Sequence, residues 1–186
     1  MYKNDIKSIM IDFDGTVVNT IKAICELYNE DFAYYKNFKQ VKWIDINTYD
    51  FKECKKASLK QIHTYFNQPR FFEKLEFMAN SCETIHKLCS IYKVYFVSIG
   101  TYPNLTLKSK FLEENFPKSY FIPINSKKYP DKAHVNMKDS ILIDDEERHL
   151  FSCNAKDSIC FGETYPWNEN WKGKRMNWKE ISEYLL

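Results

Sequence analysis

The sequence has little excess charge, no paired cysteines and no long apolar run, and each absence excludes a class of protein. Its 27 Lys and Arg side chains nearly balance 25 Asp and Glu, for a formal net charge of +2, so nothing in the charge calls for a polyanionic partner. The six cysteines form neither a C-x-x-C pair nor a Cys/His cluster of zinc spacing, which indicates free thiols in a reducing compartment. No apolar run approaches the ~20 residues of a membrane helix.

The N-terminal residues also lack the pattern of a secretion signal, a basic segment followed by an apolar core and a small-residue cleavage site. We therefore expect a cytoplasmic protein with no membrane partner and no required nucleic-acid partner. A length of 186 residues predicts one domain with a small inserted lobe, large enough to bury a core. The sequence is compatible with a homodimer.

Alternating strand and helix signals predict an α/β fold. Helical stripes of apolar residues occur at 20–32, after Asn80, around 107–112 and after Asn177. Short apolar strands are predicted at 8–13, 94–97, 120–124, 140–143 and 158–161. Such alternation is typical of a parallel sheet covered by helices on both faces, where ligands bind at the carboxyl ends of the strands. Residues 33–80 are rich in aromatics and lysine without a clean period, and we interpret them as an irregular, mostly helical insert.

Polar side chains follow three of the predicted strands. Asp12 and Asp14 follow the first strand, Ser98 follows the second, and Asp144 and Asp145 follow the apolar run SILI. Since the carboxyl ends of parallel strands share one edge of the sheet, these groups are predicted to converge there. Oxygen ligands without Cys or His suit Mg²⁺. The pattern therefore predicts a magnesium site.

The residues around the first Asp pair suggest phosphoryl chemistry. A cation would keep Asp12 ionised as a nucleophile, while Asp14 could carry a proton to the leaving oxygen. Gly15 and Thr16 predict a tight turn whose backbone N–H groups approach phosphate oxygens. The alternative is a charged turn with no chemistry.

Ser98 and Lys132 are the predicted phosphate contacts outside that turn. A lysine would neutralise charge on the transferring group, and a hydroxyl would donate to it. Lys127 and Lys128 are nearby alternatives for the lysine, and a turn or capping role is the alternative for Ser98. Asp144 and Asp145 could likewise cap the helix that follows them, a role compatible with metal binding.

The motifs resemble those of a known superfamily. Asp12-Phe-Asp-Gly-Thr16, a strand ending in Ser98, Lys132, and ILI followed by Asp144-Asp145 look like the four motifs of the haloacid dehalogenase (HAD) phosphatases, in the right order. The segment RFFEKLE, with Asp131-Lys132 ahead of LIDD, resembles the 5'(3')-deoxyribonucleotidases over most of the chain. The resemblance implies a Rossmann-like (HAD-like) parallel sheet with a small, mostly helical cap inserted after the first strand. The predicted core is 1–18 with 81–186, and the cap is 19–80.

The resemblance also implies residue roles. Asp12 would be the nucleophile that forms a phosphoaspartate and a metal ligand. Asp14 would be general acid and then base, giving its backbone carbonyl to the metal. Asp145 would be the third protein contact to Mg²⁺, and Asp144 an indirect or alternate ligand.

The remaining implied contacts concern the substrate. Ser98 and Lys132 would hold the phosphate, and cap aromatics would enclose base and sugar, the candidates being Trp43, Tyr49, Phe71 and Phe72. Two positions depart from the family pattern. Thr20 stands where the family has an aromatic residue, and Ser98-Ile99 replaces the usual Thr-Ser, which removes one phosphate donor.

The leading function is an Mg²⁺-dependent phosphatase for nucleoside monophosphates, with deoxyribonucleotides favoured, acting through an aspartyl phosphate. The same chemistry on a sugar phosphate or a nucleic-acid 3'-phosphate end is an alternative. A binding module that kept only the fold is a third hypothesis. It predicts the loss of an essential group, and none of Asp12, Asp14, Lys132 and Asp145 is missing.

Overall fold

A six-stranded parallel sheet forms the centre of the protein, as shown by a computed structural model that describes residues 5–186. The strand order is β3-β2-β1-β4-β5-β6 and every pairing is parallel. The strands are β1 (Ser8–Ile11), β2 (Lys93–Gly100), β3 (Tyr120–Asn125), β4 (Ser140–Asp144), β5 (Asp157–Phe161) and β6 (Lys174–Met176). The predicted fold class is confirmed, and residues 1–4 of the predicted core lie outside the described residues.

The helices connect the strands and occupy both faces of the sheet. They are α1 (Thr20–Phe32), α2 (Leu59–Tyr65), α3 (Pro69–Glu73), α4 (Ser81–Leu88), α5 (Tyr102–Asn115), α6 (Glu147–Ser152) and α7 (Trp178–Leu185). Between residues 5 and 186, none of them has the length and hydropathy needed to cross a membrane.

Local capping sets the starts of these helices. Asn19 accepts from the Lys22 amide at 3.0 Å to start α1. Asn177 and Glu180 form a reciprocal capping box at α7, as the spacing Asn177-x-x-Glu180 predicts. The spacing Asn80-x-x-Glu83 also predicts a side-chain cap at the start of α4, but Asn80 differs from this expectation. It adopts a left-handed conformation, with φ of 66°, and its side chain makes no capping hydrogen bond. Asparagine tolerates that conformation better than most residues, so its role is in the backbone.

Alternating side chains of β1 pack on opposite faces of the sheet. Ile9 and Ile11 are fully buried in the cluster that contains residues of α4 and α7, whereas Met10 packs with Leu142 and with Leu150 of α6. Such two-sided burial requires continuous apolar strands, which explains why β1 and β4 are recognisable in the sequence. It also fixes where β1 ends, and therefore places Asp12 at the edge of the sheet where the carboxyl ends of the strands lie.

The predicted cap segment, 19–80, contains α1 to α3 and a single 3₁₀ turn at Trp43–Asp45. Its buried apolar side chains form a separate cluster whose members all lie between residues 23 and 71. Two guanidinium nitrogens of Arg70 bond to the two oxygens of Asp31, which joins α3 to α1 and lowers the pKa of Asp31. We propose that this segment acts as the cap over the carboxyl ends of the strands.

Candidate active site

Three of the four predicted strand-end carboxylates meet at one point. Asp12 follows β1 directly, Asp144 is the last residue of β4, and Asp145 comes next. One carboxylate oxygen from each lies within 4.8 Å of the others, and all three residues are buried. The structure therefore brings these residues together as the sequence predicts.

Lys132 lies inside this carboxylate cluster. Its ammonium group forms ion pairs with Asp12 and with Asp144 Oδ2, the latter at 2.6 Å, and the side chain is fully buried. The alternatives Lys127 and Lys128 are exposed. Burial lowers the pKa of Lys132, but the two carboxylates outweigh that effect and hold this pKa above its ordinary value.

One lysine does not compensate three buried carboxylates. Burial raises the pKa of Asp12 to about 6 against the opposing effect of Lys132. Burial and the charges of Asp12 and Asp144 raise the pKa of Asp145 well above its ordinary value. Burial also opposes ionisation of Asp144, but Lys132 and His149 lower the pKa of this carboxyl below its ordinary value. The site has an excess of negative charge and an all-oxygen donor set, which fits a divalent cation such as Mg²⁺.

Asp14 is held by a residue that the sequence analysis missed. The fully buried Lys108 of α5 donates to the Asp14 carboxylate and to Ser98 Oγ, the latter at 2.7 Å. Thr20, at the position where the family has an aromatic residue, donates its hydroxyl to Asp14 Oδ1 at 3.0 Å. Asp14 is thus fixed from two sides, and Ser98 is connected to it through one ammonium group.

A sequence signal for Lys108 exists. Leu105, Lys108 and Leu112 follow the spacing of a single helix face, and all three are buried. A lysine within an apolar stripe must meet an anion or leave a charge unpaired, which is costly inside a protein. The position of Lys108 within this stripe is therefore the sequence signal of an inward-facing lysine paired with an anion.

His149 is the second residue that the sequence analysis did not assign. Its Nδ1 lies 3.2 Å from Asp144 Oδ2, and the residue is 7% exposed. No spacing pattern marks it in the sequence. Asp144 Oδ1 also accepts from the Glu146 amide at 3.0 Å, so this carboxylate caps the following turn while it faces the cluster.

The turn after Asp14 differs in part from its predicted role. Gly15 has a positive φ of 72°, as a tight turn needs, but its N–H donates to the Val18 carbonyl at 3.0 Å. That N–H is thus engaged within the turn, and a phosphate contact by the backbone of Gly15 and Thr16 stays a prediction. Thr16 is fully buried, and its hydroxyl lies 3.4 Å from Asp145 Oδ1. The turn therefore contributes to the site by positioning the Asp145 carboxylate.

Gly15 also provides space that a larger residue would fill. A Cβ at this position would lie 2.6 Å from Asp145 Oδ2. We expect Gly15→Ala to displace the Asp145 carboxylate and to weaken Mg²⁺ binding, besides the roughly 1 kcal/mol cost of the backbone conformation. Gly162→Ala is the matched control, since Gly162 has φ of 76° and an added Cβ there meets nothing within 4 Å.

Calorimetric Mg²⁺ titration and thermal unfolding of both variants distinguish the two effects. Both should lose similar stability from the backbone, whereas only Gly15→Ala should lose Mg²⁺ affinity. Equal Mg²⁺ affinities in the two variants would contradict the steric argument.

The predicted substrate aromatics separate into two groups. Phe71 is fully buried in the cap cluster, where it packs against Phe66 and Phe72, so a stacking role for Phe71 is wrong. Phe72 packs on Phe111 of α5 and does not line the cavity that Asp12, Asp14 and Ser98 line. Both side chains therefore have a role in apolar packing.

Trp43 and Tyr49 instead lie near the site. Tyr49 lines a cavity of about 210 Å³ that contains Asp12, Asp14 and Ser98. Trp43 lines a neighbouring cavity of about 300 Å³, which Tyr49 and Asp145 also line. Both residues therefore stay candidates for substrate contact.

Comparison with solved structures places the fold. A candidate phosphatase from Clostridium difficile matches with a TM-score of 0.70 at 14% identity, covering 97% of this chain and 99% of that one. A HAD-superfamily hydrolase from Geobacter sulfurreducens matches at 0.63 and 12% identity, covering 98% and 97%. The candidate HAD hydrolase YfnB of Bacillus subtilis, solved with magnesium, matches at 0.62 and 12% identity, covering 97% and 98%. The search of curated protein sequences found no significant match.

A parallel sheet with a carboxylate cluster at the carboxyl ends of its strands, together with these structural matches, defines a HAD-like α/β fold. The family model for the 5' nucleotidase, deoxy (pyrimidine), cytosolic type C proteins matches residues 4–186. The chain belongs to this family, and it is a phosphoric monoester hydrolase of the 5'-nucleotidase type.

Proposed function

We propose that the protein is an Mg²⁺-dependent phosphatase of nucleoside monophosphates, with deoxyribonucleotides preferred, that works through a phosphoaspartate on Asp12. The observation that supports this most is the placement of Asp12. It is paired with buried Lys132 and clustered with Asp144 and Asp145. The name of the family supports the substrate class. The cytosolic type in that name supports a cytoplasmic location, and a homodimer stays a prediction.

The first step transfers the phosphoryl group to the protein. An Asp12 oxygen attacks phosphorus, the phosphorus–oxygen ester bond breaks, and the leaving oxygen takes a proton from Asp14. Lys132 stabilises the ionised Asp12, while Lys108 and Thr20 hold Asp14 in one orientation. We assign the proton transfer to Asp14 because its carboxylate lies outside the cluster of Asp12, Asp144 and Asp145.

The second step releases phosphate. Water attacks phosphorus, Asp14 accepts its proton, and the bond from phosphorus to Asp12 breaks, which restores both carboxyl groups. Ser98 Oγ and the Lys132 ammonium are the side-chain donors that we propose for the phosphate oxygens.

Bound Mg²⁺ would supply positive charge for the phosphate oxygens. The residues that we propose to hold it are Asp12 and Asp145 through their side chains and Asp14 through its backbone carbonyl. Asp144 stands beside them, oriented by Lys132 and His149.

The aromatic cavity lined by Trp43 and Tyr49 is the site that we propose for the nucleoside. Its lining also includes Tyr165 and Trp167, whose rings are stacked in parallel at 4.5 Å. Aromatic faces suit a nucleobase because stacking contributes roughly 1–3 kcal/mol per base. A sugar phosphate would gain little from this cavity, and so the aromatic lining favours nucleotides.

The test is phosphate release from a panel of ribo- and deoxyribonucleoside monophosphates and simple sugar phosphates, with Mg²⁺ and with EDTA. We expect turnover only with Mg²⁺ and highest kcat/KM for deoxynucleotides such as dUMP and dTMP. Equal activity on all phosphomonoesters would contradict the nucleotide preference and favour the sugar-phosphate alternative. Turnover in EDTA would contradict the Mg²⁺ requirement.

A further inference from the structure

The loop between β5 and β6, residues 162–173, makes two contacts with Asp145. The indole Nε1 of Trp167 donates to Asp145 Oδ2 at 3.0 Å. The side-chain amide of Asn168 donates to the Asp145 backbone carbonyl at 2.9 Å, and Asn168 is fully buried. One loop therefore fixes both the backbone and the carboxylate of a residue that we propose as a metal contact.

The loop itself is firmly anchored. The guanidinium of Arg175 donates to Asn168 Oδ1 at 3.1 Å and to the Asn168 carbonyl at 2.8 Å. The Trp167 carbonyl accepts from the Glu147 amide at 3.3 Å, and the Asn170 amide donates to Glu147 Oε2 at 2.7 Å. Because these bonds connect the loop to β6 and α6, the indole has little freedom to leave Asp145.

A residue of the cap segment reaches the same carboxylate oxygen. The Tyr49 hydroxyl lies 3.4 Å from Asp145 Oδ2, and its ring centroid lies 4.9 Å from that of Trp167. The tyrosine thus contacts both the carboxylate and the indole that orients it. Asp145 is a point at which cap and core meet.

We propose that Trp167 is a positioning residue for Asp145, and that the Asp145 carboxylate couples cation binding to the contact that Tyr49 and the cap segment make with the core. The inference rests on the proposed Mg²⁺ function. A carboxylate held in one orientation by a fixed N–H loses less freedom when it binds a cation. The same fixed oxygen gives the Tyr49 hydroxyl a defined partner. Cation binding and the Tyr49 contact therefore favour each other.

The test measures Mg²⁺ binding without nucleotide, by calorimetry, in the full chain. Trp167→Phe removes the N–H donor and keeps an aromatic ring, and we expect its Mg²⁺ affinity to fall about 10- to 100-fold. Trp171→Phe is the matched control from the same loop, because that indole donates to the Lys174 carbonyl at 2.9 Å instead. Its Mg²⁺ affinity should match that of the unchanged protein.

Hydrogen exchange of the cap segment gives a second readout. Mg²⁺ should slow exchange in residues 33–80 of the unchanged protein, and this protection should be smaller in Trp167→Phe and in Tyr49→Phe. Equal Mg²⁺ affinity in Trp167→Phe and the unchanged protein would overturn the inference and leave the proposed function intact. Failure of the unchanged protein to bind Mg²⁺ would overturn both.

Discussion

Replacing Asp12 by asparagine will lower Mg²⁺-dependent phosphate release by roughly 10⁴-fold or more, the scale seen when a catalytic nucleophile is removed. The amide has nearly the same shape, but it cannot form a phosphoaspartate. The measurement is single-turnover phosphate release from the best substrate of the nucleotide panel, compared between Asp12→Asn and the unchanged protein.

The fold should survive this change. Lys132 keeps its ion pair with Asp144, and one of three clustered negative charges disappears. We therefore expect the Tm of Asp12→Asn to be no lower than that of the unchanged protein. Substantial turnover in a folded Asp12→Asn protein would exclude Asp12 as nucleophile.

Replacing Lys108 by methionine will lower kcat by about 10²- to 10⁴-fold, the range attributed to general acid–base catalysis. The change removes the ammonium group that holds the Asp14 carboxylate and Ser98 Oγ, while methionine fills much of the same space on α5. Of the two side chains that hold Asp14, only Thr20 then remains. The orientation of Asp14 toward the leaving oxygen is therefore lost. Steady-state kinetics over a range of substrate concentrations should place the loss mainly in kcat.

Lys110→Met is the matched control for this prediction. Lys110 lies on the same helix, but its side chain is 74% exposed and its closest carboxylate contact, Glu114, is at 3.9 Å. An exposed pair of this kind contributes little, so activity should not change. If Lys108→Met is folded and as active as Lys110→Met, the proposed positioning of Asp14 is wrong.

The sheet was largely predictable from the sequence because its central strands are buried on both faces. Continuous apolar runs such as SIMI and SILI have few other interpretations, and the polar residues that end them could be placed on one edge. β6 was missed because it is three residues long and reads KRM, which has neither an apolar run nor alternation. An edge strand needs less burial than a central one.

The carboxylates of the site were predictable for the same reason, since strand ends position them. Lys108 and His149 come from helices, and their roles depend on which helix face turns inward and where the helix lies against the sheet. Trp167 lies in an irregular loop, and only the folded chain brings its indole to Asp145. Phe71 and Phe72 show the converse, because aromatic character alone does not separate a ligand contact from a core side chain.

The most direct test of the central claim is to detect the phosphoryl group on Asp12. The protein is mixed with substrate and Mg²⁺, quenched in acid during turnover, digested, and the peptides are analysed by mass spectrometry. The account predicts a phosphorylated peptide that contains Asp12 and is missing from the Asp12→Asn protein. Steady turnover with no phosphoryl group on that peptide at any quench time, or with the group on a different residue, would contradict it.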